Sequence, residues 1–239
     1  MAGQDIYDPA FVRDVFDRCS GKYIAFSTIC SLGFTEIWRR QCVDMLALGD
    51  GPQNGFDLMA GTGEAWPHLL AAYPQVERIT AVDISPGMHQ RALDRLHTMR
   101  AHRIGFIEDN VLASALPAGE ADFVISTFGL KTFNRQQQAQ LAALVARVLK
   151  PGGRFALIEA SDPRGWFLRP LYLFHLKRVL PLIERLFLRG AQDFSMIGTY
   201  STNFGNVDFF ADELERNGCS VSRRKFFFRC ATGVCGTKR

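Results

Sequence analysis

Five short apolar runs recur along the chain with helical stretches between them, and this alternation narrows the fold more than any other feature. Phe56 to Ala60, Ile79 to Val82, Ile104 to Ile107, Phe123 to Phe128 and Phe155 to Ile158 read as strands. Trp66–Tyr73, Pro86–Met99 and Arg135–Leu149 read as the helices that connect them. The last of these carries Leu141, Leu144, Val145 and Val148 at the spacing of one helix face. It stops at Lys150-Pro151-Gly152-Gly153, a basic last turn followed by breakers. Strands alternating with helices imply an α/β fold, a mainly parallel sheet covered on both faces. The tail differs. A helix at Val207–Asn217 is followed by two adjacent strands, Val221–Arg229 and Cys230–Gly236, a hairpin that closes one edge. A chain of 239 residues, 47% of them apolar, suits one domain with an appended lid and can bury a full core.

Two regions of this single domain, 1–239, stand outside the alternating pattern. Residues 1–50 read as helical, with Phe11, Val12, Val15 and Phe16 on one face. Residues 164–206 read as an amphipathic addition beside the substrate. Within it, 164–190 carries Arg164, Arg169, Lys177, Arg178, Arg185 and Arg189 against Glu184 alone, a local charge of +5 where the whole chain has +4. Such a segment either lies at a membrane surface, caps an apolar pocket, or covers the core with a solvated basic face.

Composition excludes several classes. A net charge of +4 is too weak to imply nucleic acid by itself. Cys19, Cys30, Cys42, Cys219, Cys230 and Cys235 form no C-x-x-C pair and no zinc spacing. His68, His89, His97, His102 and His175 show no metal-ligand spacing, so no metal is expected. The start, MAGQDIYDPA, lacks the basic-then-apolar pattern of a signal peptide, and no run reaches 18 apolar residues. A cytoplasmic protein is expected, with peripheral membrane contact through 164–190 as the open question.

The first apolar run ends in Gly61-Thr62-Gly63, and a helix follows. Glycines let backbone approach a ligand where a Cβ would clash, and the N–H groups at a helix start favour an anionic group. A dinucleotide fingerprint would need Gly at position 66, which is Trp66. No lysine followed by Ser or Thr marks a phosphate loop. What fits is a small adenosine-type ligand with a carboxylate and no pyrophosphate, such as S-adenosylmethionine (SAM).

Further positions carry chemistry. Asp83 ends the second strand, twenty residues beyond Gly63, where an acid accepts both hydroxyls of a ribose; capping the helix near Pro86 is the structural alternative, open also to Ser85. Asp109-Asn110 after the third strand meets an adenine edge or forms an ordinary turn. Glu64 holds a ligand's ammonium or simply suits a helix start. Thr127-Phe128-Gly129-Leu130-Lys131 follows the fourth strand, at the carboxyl end that faces the ligand crevice. Lys131 there is a base, a stabiliser of a developing phenolate, or a surface lysine.

Other segments add to these. They are Val15-Phe16, Tyr23 through Ser31-Leu32-Gly33 to Trp38-Arg39-Arg40, Asp57 to Glu64, and Val82-Asp83-Ile84-Ser85-Pro86-Gly87-Met88. Then come Leu116-Pro117, Phe128-Gly129-Leu130, Arg147 to Arg154, Glu159-Ala160-Ser161-Asp162-Pro163 and Thr232 to Lys238. Read in order, they resemble the UbiE/MenG family of quinone C-methyltransferases over nearly the whole chain. The resemblance implies a Rossmann-like class I methyltransferase fold, a seven-stranded sheet with its last strand antiparallel. It implies SAM as cofactor and methylation of a ring carbon of a lipophilic, quinone-like or aromatic acceptor. Asp57, Gly61, Thr62, Gly63, Asp83, Ile84, Met88, Asp109, Asn110 and Thr127 are then expected to bind the cofactor, and Lys131 and Tyr200 to carry the chemistry. Lys131-Thr132 stands where the family usually has Arg-Asn, Ala60-Gly61 where it has Gly-Gly, and the pattern around Tyr200 to Asn206 is altered. Because lysine lacks arginine's bidentate fork, two alternatives stand beside methylation. One is a SAM-dependent quinone modification of another kind, such as the amino transfer of rhodoquinone formation. The other is a non-catalytic lipid-binding member of a quinone-biosynthesis assembly.

Overall fold

A computed structural model describes residues 5–99, 102–187 and 196–239. Three helices come first, α1 (Pro9–Cys19), α2 (Tyr23–Cys30) and α3 (Phe34–Leu46). The alternating unit follows as β1 (Gln53–Leu58), α4 (Trp66–Ala72), β2 (Val76–Asp83), α5 (Pro86–Met99), β3 (Ile104–Glu108), β4 (Ala121–Thr127), α6 (Arg135–Val148) and β5 (Leu149–Ala160). The remainder is α7 (Arg169–Phe174), α8 (Leu180–Phe187), α9 (Met196–Phe204), α10 (Asp208–Arg216), β6 (Cys219–Phe226) and β7 (Ala231–Lys238).

The seven strands form one sheet in the order β3-β2-β1-β4-β5-β7-β6. Neighbours run parallel except β7, which is antiparallel to β5 and to β6. The chain builds outward from β1 through β2 to β3, then returns to place β4 on the other side of β1. Ligand crevices open at the carboxyl ends of strands at such a switch point. Residues on successive strand positions feed two separate cores. Val124, Phe155 and Leu157 pack with Leu141 and Val145 of α6 and Phe210 and Leu214 of α10. Phe123, Ile125, Ala156 and Ile158 pack on the opposite face with Trp38, Cys42 and Leu46 of α3 and Leu69 of α4. The strict two-residue period of side-chain direction in a strand produces this division.

Two local readings change. Lys150-Pro151-Gly152-Gly153 does end α6, but it is already part of β5, as a bulge. Ala121 pairs with Leu149 and Phe123 with Arg154, and the surplus residues are absorbed where Gly152 takes φ +78°. The basic segment runs helically from Arg169 to Phe187, with a π-helical turn at His175–Val179 joining α7 to α8. Residues 188–195, Arg189 among them, lie outside the described residues, as do the side chains of Glu184, Arg185, Leu186 and Phe187. Among the described residues no helix is long and apolar enough to cross a membrane.

Candidate active site

β1 and β4 end beside each other at the switch point, and both leave their strands through a left-handed residue. Met59 has φ 54° and Phe128 has φ 66°, conformations that side chains other than glycine rarely adopt. The two turns touch: a Cβ on Gly129 would come within 2.4 Å of the Met59 Cβ. Backbone in sparsely populated conformations gathers where surrounding structure over-determines it, and such places are often functional. Here the two residues border a cavity of about 870 Å³, measured with its mouth.

Eight of the ten expected cofactor residues line that cavity: Gly61, Thr62, Asp83, Ile84, Met88, Asp109, Asn110 and Thr127. The Asp83 carboxylate is fixed from both ends. Its Oδ2 accepts from the Gly61 N–H at 2.7 Å and its Oδ1 from the Ser85 N–H at 2.9 Å. Burial pushes its pKa up, against the pull of those two backbone donors. Asp83 therefore closes the glycine turn as well as facing the cavity. Apolar walls from Ile84, Met88, Val111 and Leu112 flank the carboxylate, a combination that fits a ribose diol beside an adenine ring.

Asp57 and Gly63 do not line this cavity, and each has an internal contact that accounts for its place. Asp57 is 1% exposed, and its Oδ2 accepts from the Trp66 indole N–H at 2.7 Å. The indole thus held lies so close to Gly63 that a Cβ there would sit 2.1 Å from the ring, and Gly63 has φ +71°. The tryptophan by itself requires a glycine at position 63. Gly61 differs: it has φ +57° with nothing within 4 Å of its absent side chain. Burial raises the Asp57 pKa to about 7, with the Trp66 hydrogen bond pulling it down and the Asp83 charge pushing it further up.

The N-terminal region roofs this cavity with Tyr7, Pro9, Val12, Phe16 and Tyr23. Asp17 of α1 accepts from the Ser85 hydroxyl and from the Gly87 N–H, which ties the roof to the start of α5. Gln137 donates to the Tyr7 carbonyl at 3.0 Å, and the Tyr200 hydroxyl to the Ile6 carbonyl at 2.6 Å. Tyr200 is almost fully buried and lines neither cavity. Its place is among the anchors of the roof, away from the position expected of a group that touches the acceptor.

A second cavity, about 1430 Å³ with its mouth, lies beyond the first. Tyr23 and Phe128 border both. Its wall is mostly apolar and aromatic, with Leu32, Phe34, Trp38, Trp166, Leu171, Tyr172, Phe174, Leu176, Leu180 and Phe227. Lys131 stands in that wall, 4% exposed. Its Nζ donates to Glu159 Oε1 at 2.9 Å and to the Phe128 carbonyl. Glu159, with no exposure, also accepts from the backbone N–H groups of Lys131 and Ala160. Thr132 borders the first cavity. The Lys-Thr pair therefore divides between the two spaces. The Ser201 hydroxyl and the Trp166 indole N–H are buried on this wall with no hydrogen-bond partner among the described residues.

Sequence reasoning placed Tyr23 and Arg39 only in the N-terminal region and gave them no site role. Burial pushes the Tyr23 pKa up, and the nearby Glu64, Glu159 and Asp83 charges add to the rise while Arg39 opposes it. Arg39 pairs with Glu64 and lies over the Phe128 ring at 5.4 Å. A signal for Arg39 was present. It occupies the buried stripe of α3 with Thr35, Trp38, Cys42, Val43 and Leu46, and a charge in such a stripe needs a partner. The histidines take other partners: His68 bonds Glu36 at 2.7 Å and His89 bonds Glu108 at 2.9 Å. No cluster among the described residues could hold a metal ion.

A seven-stranded sheet with one reversed strand, a cavity at the β1–β4 switch point and an acid closing β2 define a class I SAM-dependent methyltransferase. The chain belongs to the ubiE/COQ5 methyltransferase family, which matches residues 4–238; SAM is its cofactor. A demethylmenaquinone methyltransferase of Lactiplantibacillus plantarum is 29% identical over 230 residues, 95% of each chain. One from Bacillus cereus is 23% identical over 228 residues, again 95% of each. Among solved structures, an O-methyltransferase family protein from Burkholderia thailandensis matches 90% of this chain and 59% of its own, with a TM-score of 0.62 and 18% identity. Human N-acetylserotonin methyltransferase in complex with SAM matches 87% of this chain and 54% of its own, with a TM-score of 0.60 and 21% identity. The chain thus spans little more than half the length of these two structures, which share its fold.

Two outcomes follow from the Asp57–Trp66–Gly63 contact. Gly63→Ala should cost about 3 kcal/mol of stability, from overpacking and a strained φ together, while Gly61→Ala costs about 1 kcal/mol; denaturant midpoints compare them. The folded protein keeps the Asp57 proton up to about pH 7, whereas the unfolded chain loses it near the ordinary 3.8. The stabilisation is therefore complete below that lower value and is lost as pH rises to about 7. Urea melts across this range should show stability falling with pH less steeply in Asp57→Asn than in the parent. Equal slopes would reject the assignment.

Proposed function

We propose that the chain methylates a ring carbon of a lipophilic quinol, with the second cavity as the acceptor site. The observation that carries this reading is the pair of cavities. A mostly apolar space of about 1430 Å³ shares Tyr23 and Phe128 with the cofactor space, and a lysine in its wall pairs with a glutamate buried behind it. The relatives named above are demethylmenaquinone methyltransferases, and a demethylated naphthoquinol with an isoprenoid tail suits such a wall.

SAM supplies an electrophilic sulfonium methyl group when bound. In this reading Asp83 accepts both ribose hydroxyls, with its orientation set by Gly61 and Ser85. Ile84, Met88, Asp109 and Asn110 surround the adenine, and Gly61, Thr62 and Thr127 with the Arg39–Glu64 pair meet the methionine end. Asp57 and Gly63 act through Trp66, as positioning residues. An acceptor carbon becomes nucleophilic when the neighbouring ring hydroxyl loses its proton to water. The carbon takes the methyl group as the sulfonium C–S bond breaks, then releases its own proton to water as the ring regains aromaticity. The protein's task is to favour the oxyanion. An ammonium group has three donors. Phe128 and Glu159 take two from Lys131, and the third is free for the ring oxygen. Glu159 fixes the ammonium and Lys131 stabilises the phenolate, a different task from proton abstraction. The unpartnered Ser201 hydroxyl offers a second polar contact on α9, which packs against the Lys131 turn.

The part 166–180 of the basic segment borders the acceptor cavity with Leu168, Leu171, Phe174, Leu176, Val179 and Leu180. Part of its charge is spent internally: Arg169 grips the buried Asp162 with two hydrogen bonds and Arg164 adds a third. Those partners hold the Asp162 carboxyl below its usual range. Lys177 and Arg178 remain exposed and give the segment a peripheral contact with the membrane that carries the acceptor.

Asp83→Ala should weaken SAM binding at least tenfold by calorimetry, since a hydrogen bond to a charged group contributes about 1.5–3 kcal/mol. Unchanged affinity would sink the ribose assignment. With SAM and demethylmenaquinol in detergent, the product should gain one CH₂ by mass. Lys131→Met should lower kcat by roughly 100-fold while leaving SAM affinity alone, and Lys131→Arg should recover part of the rate. Absence of a methylated product rejects the acceptor, and an unaltered kcat in Lys131→Met rejects the role of the lysine.

A further inference from the structure

The turn between β6 and β7 is unlike the other turns of the sheet. Phe227, Phe228 and Arg229 are three consecutive residues, none of them glycine, with φ of 37°, 53° and 73°. Aromatic side chains seldom tolerate this backbone, and a single glycine would relieve it. The ladder on either side is regular up to the Phe226–Ala231 pair, and the Cys230 N–H returns to the Phe227 carbonyl at 2.9 Å. This conformation splits two adjacent rings. Phe227, half-exposed, packs along the wall of the acceptor cavity with its ring centroid 4.2 Å from that of Phe34. Phe228 turns outward, 62% exposed, and stacks flat on Trp166 with centroids 5.1 Å apart. Phe167 beside it is 81% exposed, and Leu32, on another left-handed non-glycine residue at the α2–α3 turn, is 78% exposed. These side chains gather at the cavity mouth, since Leu32, Trp166 and Phe227 all line it.

Cations adjoin the same turn. Arg164, Arg224, Lys225 and Arg229 border a shallow surface pocket together with Asp162, Asp208 and Arg223. Asp162 is already taken by Arg164 and Arg169, and Asp208 faces Arg223. Arg224, Lys225 and Arg229 carry no ion pair among the described residues. Exposed aromatics next to uncompensated cations match the two layers of an anionic bilayer, acyl chains under phosphates. Exposed apolar clusters of this kind mark interaction surfaces, and the adjoining positive charge favours lipid phosphates over a neutral partner.

We propose that the β6–β7 turn is a membrane-inserting wedge. In this arrangement Phe228 and Phe167 enter the acyl region of an anionic phospholipid bilayer, while Arg224, Lys225 and Arg229 meet lipid phosphates. The turn itself lies outside the basic segment 164–190, which contributes Phe167 to the wedge, and it sets the cavity mouth against the bilayer, so that a tailed acceptor enters sideways from the lipid. Only this last consequence rests on the acceptor reading above.

The full chain is sedimented with vesicles of phosphatidylglycerol and phosphatidylcholine, and with vesicles of phosphatidylcholine alone. The parent should prefer the anionic vesicles, less so as salt rises. Phe167→Ser with Phe228→Ser, and separately Arg224→Glu with Lys225→Glu, should each weaken vesicle binding about tenfold or more. Both should keep the parent's melting temperature, SAM affinity and turnover of a short-tailed quinol in detergent. The charge pair keeps the test valid if the aromatic pair disturbs folding. Vesicle binding equal to the parent's in the charge pair overturns the wedge, as does parental binding indifferent to lipid charge. Vesicle binding lost in the variants, with no quinol turnover by any of the proteins, would reject the acceptor reading and leave the wedge standing.

Discussion

A carboxylate sealed at the end of β1 holds the indole of Trp66, and the glycine turn is folded around that indole. Asp57 is desolvated and accepts one strong hydrogen bond from Trp66 Nε1. With the ring fixed, the turn can pass over it only where a side chain is missing, at Gly63. The turn then presents the Gly61 N–H to Asp83, which joins the ends of β1 and β2. The Arg95 guanidinium reaches back to the Thr62 carbonyl at 2.8 Å and ties the same turn to α5. The cavity floor therefore inherits its shape from one buried contact that lies outside the cavity lining.

Above that floor, the fold separates two kinds of space without a thick partition. Tyr23 from the helical N-terminal region and Phe128 from the β4 turn are shared by both cavities. The first space is rimmed by Asp83, Glu64 and Arg39, and the second is mostly apolar and aromatic, with Lys131, His175 and a few hydroxyls among its lining and Glu159 buried behind the lysine. A buried ion pair of this kind tolerates low dielectric because Glu159 has several donors and Lys131 has two acceptors.

The sheet was legible because it depends on local pattern. The runs Ile79 to Val82, Ile104 to Ile107 and Phe155 to Ile158 lie inside the observed β2, β3 and β5, while Phe56 to Ala60 and Phe123 to Phe128 overrun β1 and β4 at the left-handed Met59 and Phe128, and the reversed strand was implied by the family resemblance. The position of Asp83 at the end of β2 was legible for the same reason. The Arg39–Glu64 pair was hidden because its partners are 25 residues apart in sequence, and Tyr23 because its setting is made by four distant charged groups. Gly63 was read as a place where backbone approaches a ligand, and the contact with the Trp66 ring three residues onward was not visible in the pattern. The hydrogen bond of Tyr200 was hidden in the same way, because a hydroxyl's direction depends on what packs beside it, here the carbonyl of Ile6.

Lys131 and Thr132 are joined by one peptide bond, yet one borders the apolar cavity and the other the cavity at the switch point. A substitution at the first alters the apolar wall and leaves the switch-point wall in place, and one at the second does the reverse. The departure from the family's usual Arg-Asn therefore reaches both spaces at once, through adjacent residues of a single turn.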